Sequence, residues 1–402
     1  MKTLKKIVHL LLIRLIINFA DSLFYIATIW NISDQPNSTF KLGVIVALFT
    51  VPEVILFIFG PLIDRMNPRK LIGTSIATQV VILSVMVYFN ILDFSIGLLV
   101  LIFISEIMSS LTYPLEDILL PRFVDKNEII FANSIFAISY KVLDFIFNAF
   151  AGGLLIYFTI SQLYQLNILV FALAFLPLLQ LKVSKWHETE EELELNYFKE
   201  LKEGVAYIWK GEYILSLTIP LIFINFAVAV NIVAYPYYIR QFSQPELLLT
   251  LFSLVAGVGS LLGNSLVTKI TQKMGIGKII ILFLSLNGIV WGLAFSIHNE
   301  WSMLGLLLLS YICSSIYNVV YETLFQVLVP KRLLGRVNTL VDSLVTLAMP
   351  LGALVGGWIL MYVPINIVML LFSVSLFITS MYYYSNKTIY KLPRMHEIDE
   401  EE

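Results

Sequence analysis

Apolar and polar positions in this chain do not alternate; they gather into long apolar runs separated by short polar gaps. A helix that crosses a bilayer needs about 20 mainly apolar residues. Runs of that length lie near 7–31, 41–60, 71–91, 96–116, 130–157, 161–181, 212–239, 246–269, 278–297, 301–327, 334–362 and 365–385. The pattern predicts an all-α membrane protein with twelve transmembrane helices. The longest polar gap, 182–211, separates six spans from six. The chain therefore divides into a six-helix bundle over 1–181, a cytoplasmic linker over 182–211, a second bundle over 212–385 and a tail over 386–402.

Composition agrees with a polytopic membrane protein. The chain is 58% hydrophobic and 13% charged, whereas a soluble protein carries about a quarter charged residues. The net charge of −2 and the lack of a basic stripe outside the loops exclude nucleic acid as a partner. Cys313 is the single cysteine and lies within an apolar run, so no disulfide framework or Cys-based metal site is expected. His9, His187, His298 and His396 are too dispersed to form a metal centre, and no cofactor is implied. Lys2, Lys5 and Lys6 precede an apolar run too long for a signal-peptide core, which marks a retained first helix.

The charges also give an orientation. With both termini inside, only Lys41 and Arg240 of the 26 Lys and Arg face outward, and Arg14 and Lys141 lie within spans. A bias of that size favours cytoplasmic termini and an even number of spans. In the linker, the acids Glu188, Glu190, Glu191, Glu192 and Glu194 precede Lys199, Glu200, Lys202 and Glu203 at helical spacing, as in a solvated surface helix. The acidic tail at 397–402 has too little apolar surface to order itself.

One loop carries a specific pattern. Gly60-Pro61-Leu62-Ile63-Asp64-Arg65-Met66-Asn67-Pro68-Arg69-Lys70 joins spans two and three. Gly60 and Pro61 are expected to stop the first of these helices, and Asn67-Pro68 to make the turn. The pattern Gly-x-Leu-x-Asp-Arg-x-x-x-Arg-Lys resembles the loop signature of the major facilitator superfamily of secondary transporters. Asn67-Pro68 stands where that family often has Gly followed by a base. The resemblance implies a gating role for Gly60, Asp64, Arg65 and Arg69, with Glu116 and Asp117 at the inner end of span four as partners for Arg65 or Arg69.

The two halves echo each other weakly. Tyr113, Pro121-Arg122, Ala132-Asn133-Ser134 and Ala151-Gly152-Gly153 correspond to Tyr321, Pro330-Lys331, Val337-Asn338-Thr339 and Val355-Gly356-Gly357. The resemblance implies two pseudo-symmetric halves with the substrate at the midplane. The second-half counterpart of the signature loop, 263–278, keeps Gly and bases but has no Asp. Pro350-Leu351-Gly352 with Gly356-Gly357 in span eleven looks like the family's helix-bending motif, and small residues there also allow close helix packing. The family's exporters normally carry that motif in span five, and many proton antiporters carry an Arg in span four that this chain lacks.

Candidate chemistry lies in ionisable residues within spans. Acids are Asp21, Glu53, Glu106, Asp144, Glu322 and Asp342; bases are Arg14 and Lys141. An unpaired charge at a helix centre costs about 2.5–3.5 kcal/mol, so each acid must meet a cation, face water or take a proton. Lys141 and Asp144 have the spacing of an intrahelical pair. Arg14, Asn18, Asp21 and Tyr25 form one polar stripe on span one, as do Glu106, Ser109, Tyr113 and Glu116 on span four. Asp21 and Glu106 fall near mid-membrane and are the candidates for substrate or proton binding, with Arg14, Lys141 and Asp144 around them. Glu322 and Asp342 lie nearer the cytoplasm, where a gating or helix-end role fits better.

Over nearly the whole chain these patterns resemble the macrolide-efflux-like branch of the superfamily, including Gly335-Arg336-Val337-Asn338 at the entry to span eleven. The resemblance implies a multi-pass protein of the bacterial cytoplasmic membrane. Its partners would be protons, the lipid bilayer and a small-molecule substrate, an amphipathic drug-like compound driven outward by the proton gradient. An importer of a small nutrient or an exporter of siderophores would share the fold, and a non-transporting sensor or lipid-handling protein is a further alternative. No nucleophile–base set or phosphate-binding glycine loop suggests an enzyme.

Overall fold

The computed structural model describes residues 2–63, 67–112, 119–120, 123–124, 128, 132, 135–136, 143–181, 206–208 and 212–394. Within these, fifteen helices and no strand are present. The helices of the first half are α1 (Lys2–Ser33), α2 (Ser38–Ile63), α3 (Pro68–Tyr88), α4 (Ile96–Ser110), α5 (Leu143–Leu154), α6 (Ile160–Leu173) and α7 (Phe175–Gln180). Those of the second are α8 (Glu212–Ile239), α9 (Pro245–Thr271), α10 (Ile276–Ser296), α11 (Glu300–Leu328), α12 (Lys331–Thr346), α13 (Ala348–Ile359), α14 (Ile365–Ser385) and α15 (Lys387–Tyr390). Among the described residues nine helical stretches are long and apolar enough to cross a membrane, and Ser38–Pro52, Ile96–Ser110 and Leu143–Leu154 are shorter apolar helices. The protein is an all-α membrane protein with twelve spans in two halves.

The chain clusters into one compact unit of Met1–Thr189 with Gln244–Ser253 and another of Glu190–Ser243 with Leu254–Glu402. In the first, α1 packs on α2, α5 and α6, and α3 packs on α4 and α6. In the second, α10 packs on α11 and α14, and α8 packs on α13 and α14.

Short polar side chains set the helix starts. Asn67 caps α3 by accepting the Lys70 amide at 3.3 Å, with Pro68 in the first turn, where its missing N–H costs nothing. Ser95 caps α4, Thr159 and Gln162 form a reciprocal box at the start of α6, and Asn299 caps α11. Asn37 and Asn90, with φ of 50° and 52°, take the left-handed positions between helices that a short amide side chain tolerates.

Prolines account for the departures from the expected spans. Spans six and eleven are each broken, at Ala174 and at Leu347. A proline ring clashes with the carbonyl four residues before it. For Pro177 that is Leu173, the last residue of α6; for Pro350 it is Thr346, the last residue of α12. Gly60 and Pro61, in contrast, do not stop α2, which runs on to Ile63. A proline near the end of a helix removes few of its bonds, so Pro61 is accommodated in the last turn of α2.

The glycines of span eleven admit α8. A Cβ on Gly352 would overlap the Phe226 carbonyl oxygen, and one on Gly356 would sit 2.9 Å from the Val230 Cα. Close packing thus accounts for the Gly-rich stretch of this span. Gly352→Ala should lower the thermal unfolding temperature of purified protein, at an overpacking cost of about 1–3 kcal/mol. Gly305→Ala, which meets nothing within 4 Å, should leave it unchanged or raise it. Equal behaviour of the two variants would remove this account of the packing.

Candidate functional site

The polar stripe of α1 is built as an interior surface. Arg14 is fully buried, Asn18 is buried, and Asp21 and Tyr25 are half-buried. Within the span Ile7–Ser33, Asp21 stands about 21 Å from one end and about 18 Å from the other at the helical rise of 1.5 Å. Its carboxylate Oδ2 accepts a hydrogen bond of 2.6 Å from the Ser109 hydroxyl on α4. Arg14, two turns earlier, and Asp144, on α5, are both close enough to act on its charge.

Asp144 occupies the first turn of α5. Its Oδ2 accepts from the Asn148 amide at 3.2 Å, and the Ser22 side chain also bonds to it. Adjacent residues of α1, Asp21 and Ser22, therefore engage α4 and α5 respectively. The structure brings together Arg14, Asp21 and Asp144 from the expected set. Glu106 stands half-buried one turn before Ser109 on α4. Lys141, the expected partner of Asp144, lies outside the described residues, as do Asp64, Arg65, Glu116 and Asp117.

Aromatic rings lie beside this cluster. Phe19 contacts Phe147 and Phe150 of α5 at ring distances of 5.6 Å, and Tyr25 meets Phe49 of α2 at 4.9 Å. The Tyr164 hydroxyl shares a 2.8 Å hydrogen bond with Thr28.

A second set of polar residues fixes α4 in register and was not singled out from the sequence. The Ser75 hydroxyl donates to the Met108 carbonyl at 2.6 Å. Gln79 donates to the Ser105 carbonyl at 2.9 Å and accepts from the Ser105 hydroxyl at 2.6 Å. These bonds hold the turn of α4 that carries Ser109. Their signal was the matching i, i+4 spacing of Ser75 with Gln79 and Ser105 with Ser109.

Of the gating candidates, Gly60, Arg69, Glu322 and Asp342 are among the described residues. Gly60 falls in the last turns of α2. Arg69 donates from Nη2 to the Leu179 carbonyl at 3.0 Å, so it ties the start of α3 to the end of α7 through a backbone oxygen. Glu322 on α11 and Asp342 on α12 are exposed, and Asp342 is close enough to act on Tyr321. The interior of the second half carries neutral stitches instead. Asn287 accepts from the Ser310 hydroxyl, Ser315 donates to Asn264, and Ser373 donates to the Gly288 carbonyl at 2.6 Å.

Comparison with known proteins gives the family. The sequence matches the family model of the Major Facilitator Superfamily over residues 10–245 and 217–394. It is 23% identical to Macrolide efflux protein A of Enterococcus faecalis over 73% of this chain and 94% of that protein. It is 21% identical to Macrolide efflux protein A of Streptococcus pyogenes over 84% of this chain and 85% of that protein. Among solved structures, the nucleoside transporter NupG superposes with a TM-score of 0.75, covering 95% of this chain and 99% of the other at 11% identity. The chain belongs to the major facilitator superfamily of membrane transporters, and its sequence is similar to that of the macrolide efflux proteins.

Proposed function

We propose that this protein expels an amphipathic organic cation of macrolide type from the bacterial cytoplasm in exchange for protons, by alternating access. The observation that carries this reading is the hydrogen bond between Asp21 and Ser109 at mid-span. A hydroxyl both donates and accepts. It donates to the carboxylate and accepts from the carboxylic acid, so Asp21 gains or loses a proton without stranding a polar group in hydrocarbon. A ligand ammonium reaching the same carboxylate competes with that proton, which yields exchange without a covalent step. The names of the relatives support a macrolide as the substrate.

The remaining assignments follow the same reading. Glu106 is the second candidate for the coupling acid, and Arg14 and Asp144 set the charge around Asp21. The signature loop governs switching rather than binding, with Arg69 anchoring its end of α3 on Leu179. The halves at 1–181 and 212–385 are joined by a cytoplasmic linker at 182–211, and the tail at 386–402 is cytoplasmic. Cysteines introduced at Ser33 and at Glu191 should then react with an impermeant maleimide from opposite sides of the membrane. Reaction from the same side would overturn the orientation.

In proteoliposomes, adding a macrolide to protein at low buffer capacity should release protons. Asp21→Asn should abolish that release while leaving the fold intact by thermal unfolding. Persistence of release in both Asp21→Asn and Glu106→Gln would place coupling elsewhere. Direction is read separately: an inward-acid gradient should drive accumulation of the macrolide within vesicles, and efflux of preloaded macrolide down a co-directed proton gradient would identify an importer instead.

A further inference from the structure

The start of α10 is assembled differently from the start of α3, its counterpart in the first half. The residue before α10 is Gly275, which offers no side-chain cap. The orphan amide of Ile276 is instead satisfied by the backbone carbonyl of Pro393, at 3.0 Å. Pro393 belongs to the segment that follows span twelve, and this segment is seated rather than loose. Asn386 ends α14 and caps the short α15, Ile389 is fully buried, and Leu392 is 8% exposed.

The loop is shaped to receive the segment. A Cβ on Gly275 would sit 2.9 Å from the Leu392 carbonyl oxygen, and one on Gly277 would overlap the Ile389 carbonyl oxygen. Both glycines are therefore required by the close approach of a second backbone. In the first half the corresponding tie runs from the Arg69 side chain to the Leu179 carbonyl at the end of span six. In the second half, residues 386–394 run from the end of span twelve back to the start of span nine. The stretch 263–278, which ends α9 and begins α10, lacks the aspartate of the signature.

We propose that residues 386–394 form a strap that clamps the entrance of span nine to the end of span twelve, and that this clamp sets the rate at which the second half changes state. This rests on the protein being a transporter, not on macrolide as its substrate. A clamp made of one hydrogen bond and two buried side chains is weak enough to release, and release frees one backbone amide at a helix N-terminus, where water can replace the carbonyl.

Hydrogen exchange tests the clamp without any substrate. A chain ending at Ser385 should exchange the amides of Ile276 and Gly277 at least tenfold faster than the full chain. A chain ending at Arg394, which keeps the strap and loses the acidic tail, should behave as the full chain does. Ile389→Asp, which unseats the strap without touching α10, should reproduce the shorter truncation. For function, the maximal rate of macrolide exit from proteoliposomes should change at least threefold in Ile389→Asp with unchanged half-saturation. Unchanged exchange in the Ser385 truncation would refute the clamp, and so would faster exchange in the Arg394 truncation. Faster exchange with an unaltered maximal rate would show a helix cap without a role in switching. If the full chain moves no macrolide, the substrate assignment fails, and the rate comparison is read instead from spin-label distance changes between position 272 and the start of α12 at position 331.

Discussion

Hydrocarbon offers no hydrogen-bond partner, and every polar group placed in it must find one within the protein. That constraint organises the described spans. Hydroxyls of Ser75, Ser373 and Ser380 return to backbone carbonyls on neighbouring helices. Gln79 closes a two-way bond with Ser105, and the Trp291 indole donates to the Met369 carbonyl. Each such bond does two things at once. It removes a desolvation penalty and it fixes the register of one helix on another, so polar residues define the packing that apolar contact alone leaves free to slide.

The two halves use this constraint differently. The first half places charge in its interior, with Arg14, Asp21 and Asp144 gathered around α1. The second half keeps its described interior neutral, joined by serine and asparagine bonds and by glycines that let α13 reach the backbone of α8. A buried ion cluster costs desolvation that hydrophobic residues of similar volume avoid. Among the described residues, that cost is carried by the interior of the first half. The Arg69 tie and the Pro393 tie show the same economy at the helix ends, one made by a side chain and the other by a length of chain.

Twelve spans were legible because membrane thickness converts directly into run length, and the observed helix ends fall close to the apolar boundaries. The bending motif at Pro350 marked span eleven, whose break falls at Leu347, whereas the break at Ala174 was not read, although Pro177 announces it once the carbonyl four residues back is considered. The continuation of α2 past Pro61 was missed for the opposite reason, since a proline near a helix end loses little. At the site, Asp21, Arg14 and Asp144 were legible as costly residues in apolar runs. Their partners Ser109, Ser22 and Asn148 were harder to single out, because small polar residues are common in spans and only proximity gives them meaning. The strap could not be read at all, since nothing in 386–394 signals which loop it covers.

Each of the two acids beside α1 meets a serine hydroxyl, Asp21 that of Ser109 and Asp144 that of Ser22, and Asp144 has an amide partner besides. Asp144 receives the Asn148 amide on Oδ2, and an amide N–H can only donate. That bond persists only while the oxygen accepting it carries no proton. Asp21 receives a hydroxyl on Oδ2, and a hydroxyl reverses its role when the carboxylate becomes an acid. Proton uptake at Asp21 thus preserves the contact between α1 and α4, whereas uptake on the same atom of Asp144 would break a bond within α5. Arg14, fully buried two turns away on the same stripe of α1, is the cation that acts on the charge of Asp21. A guanidinium that close offsets part of the field of the carboxylate, which lowers the cost of keeping Asp21 charged in the interior of the first half.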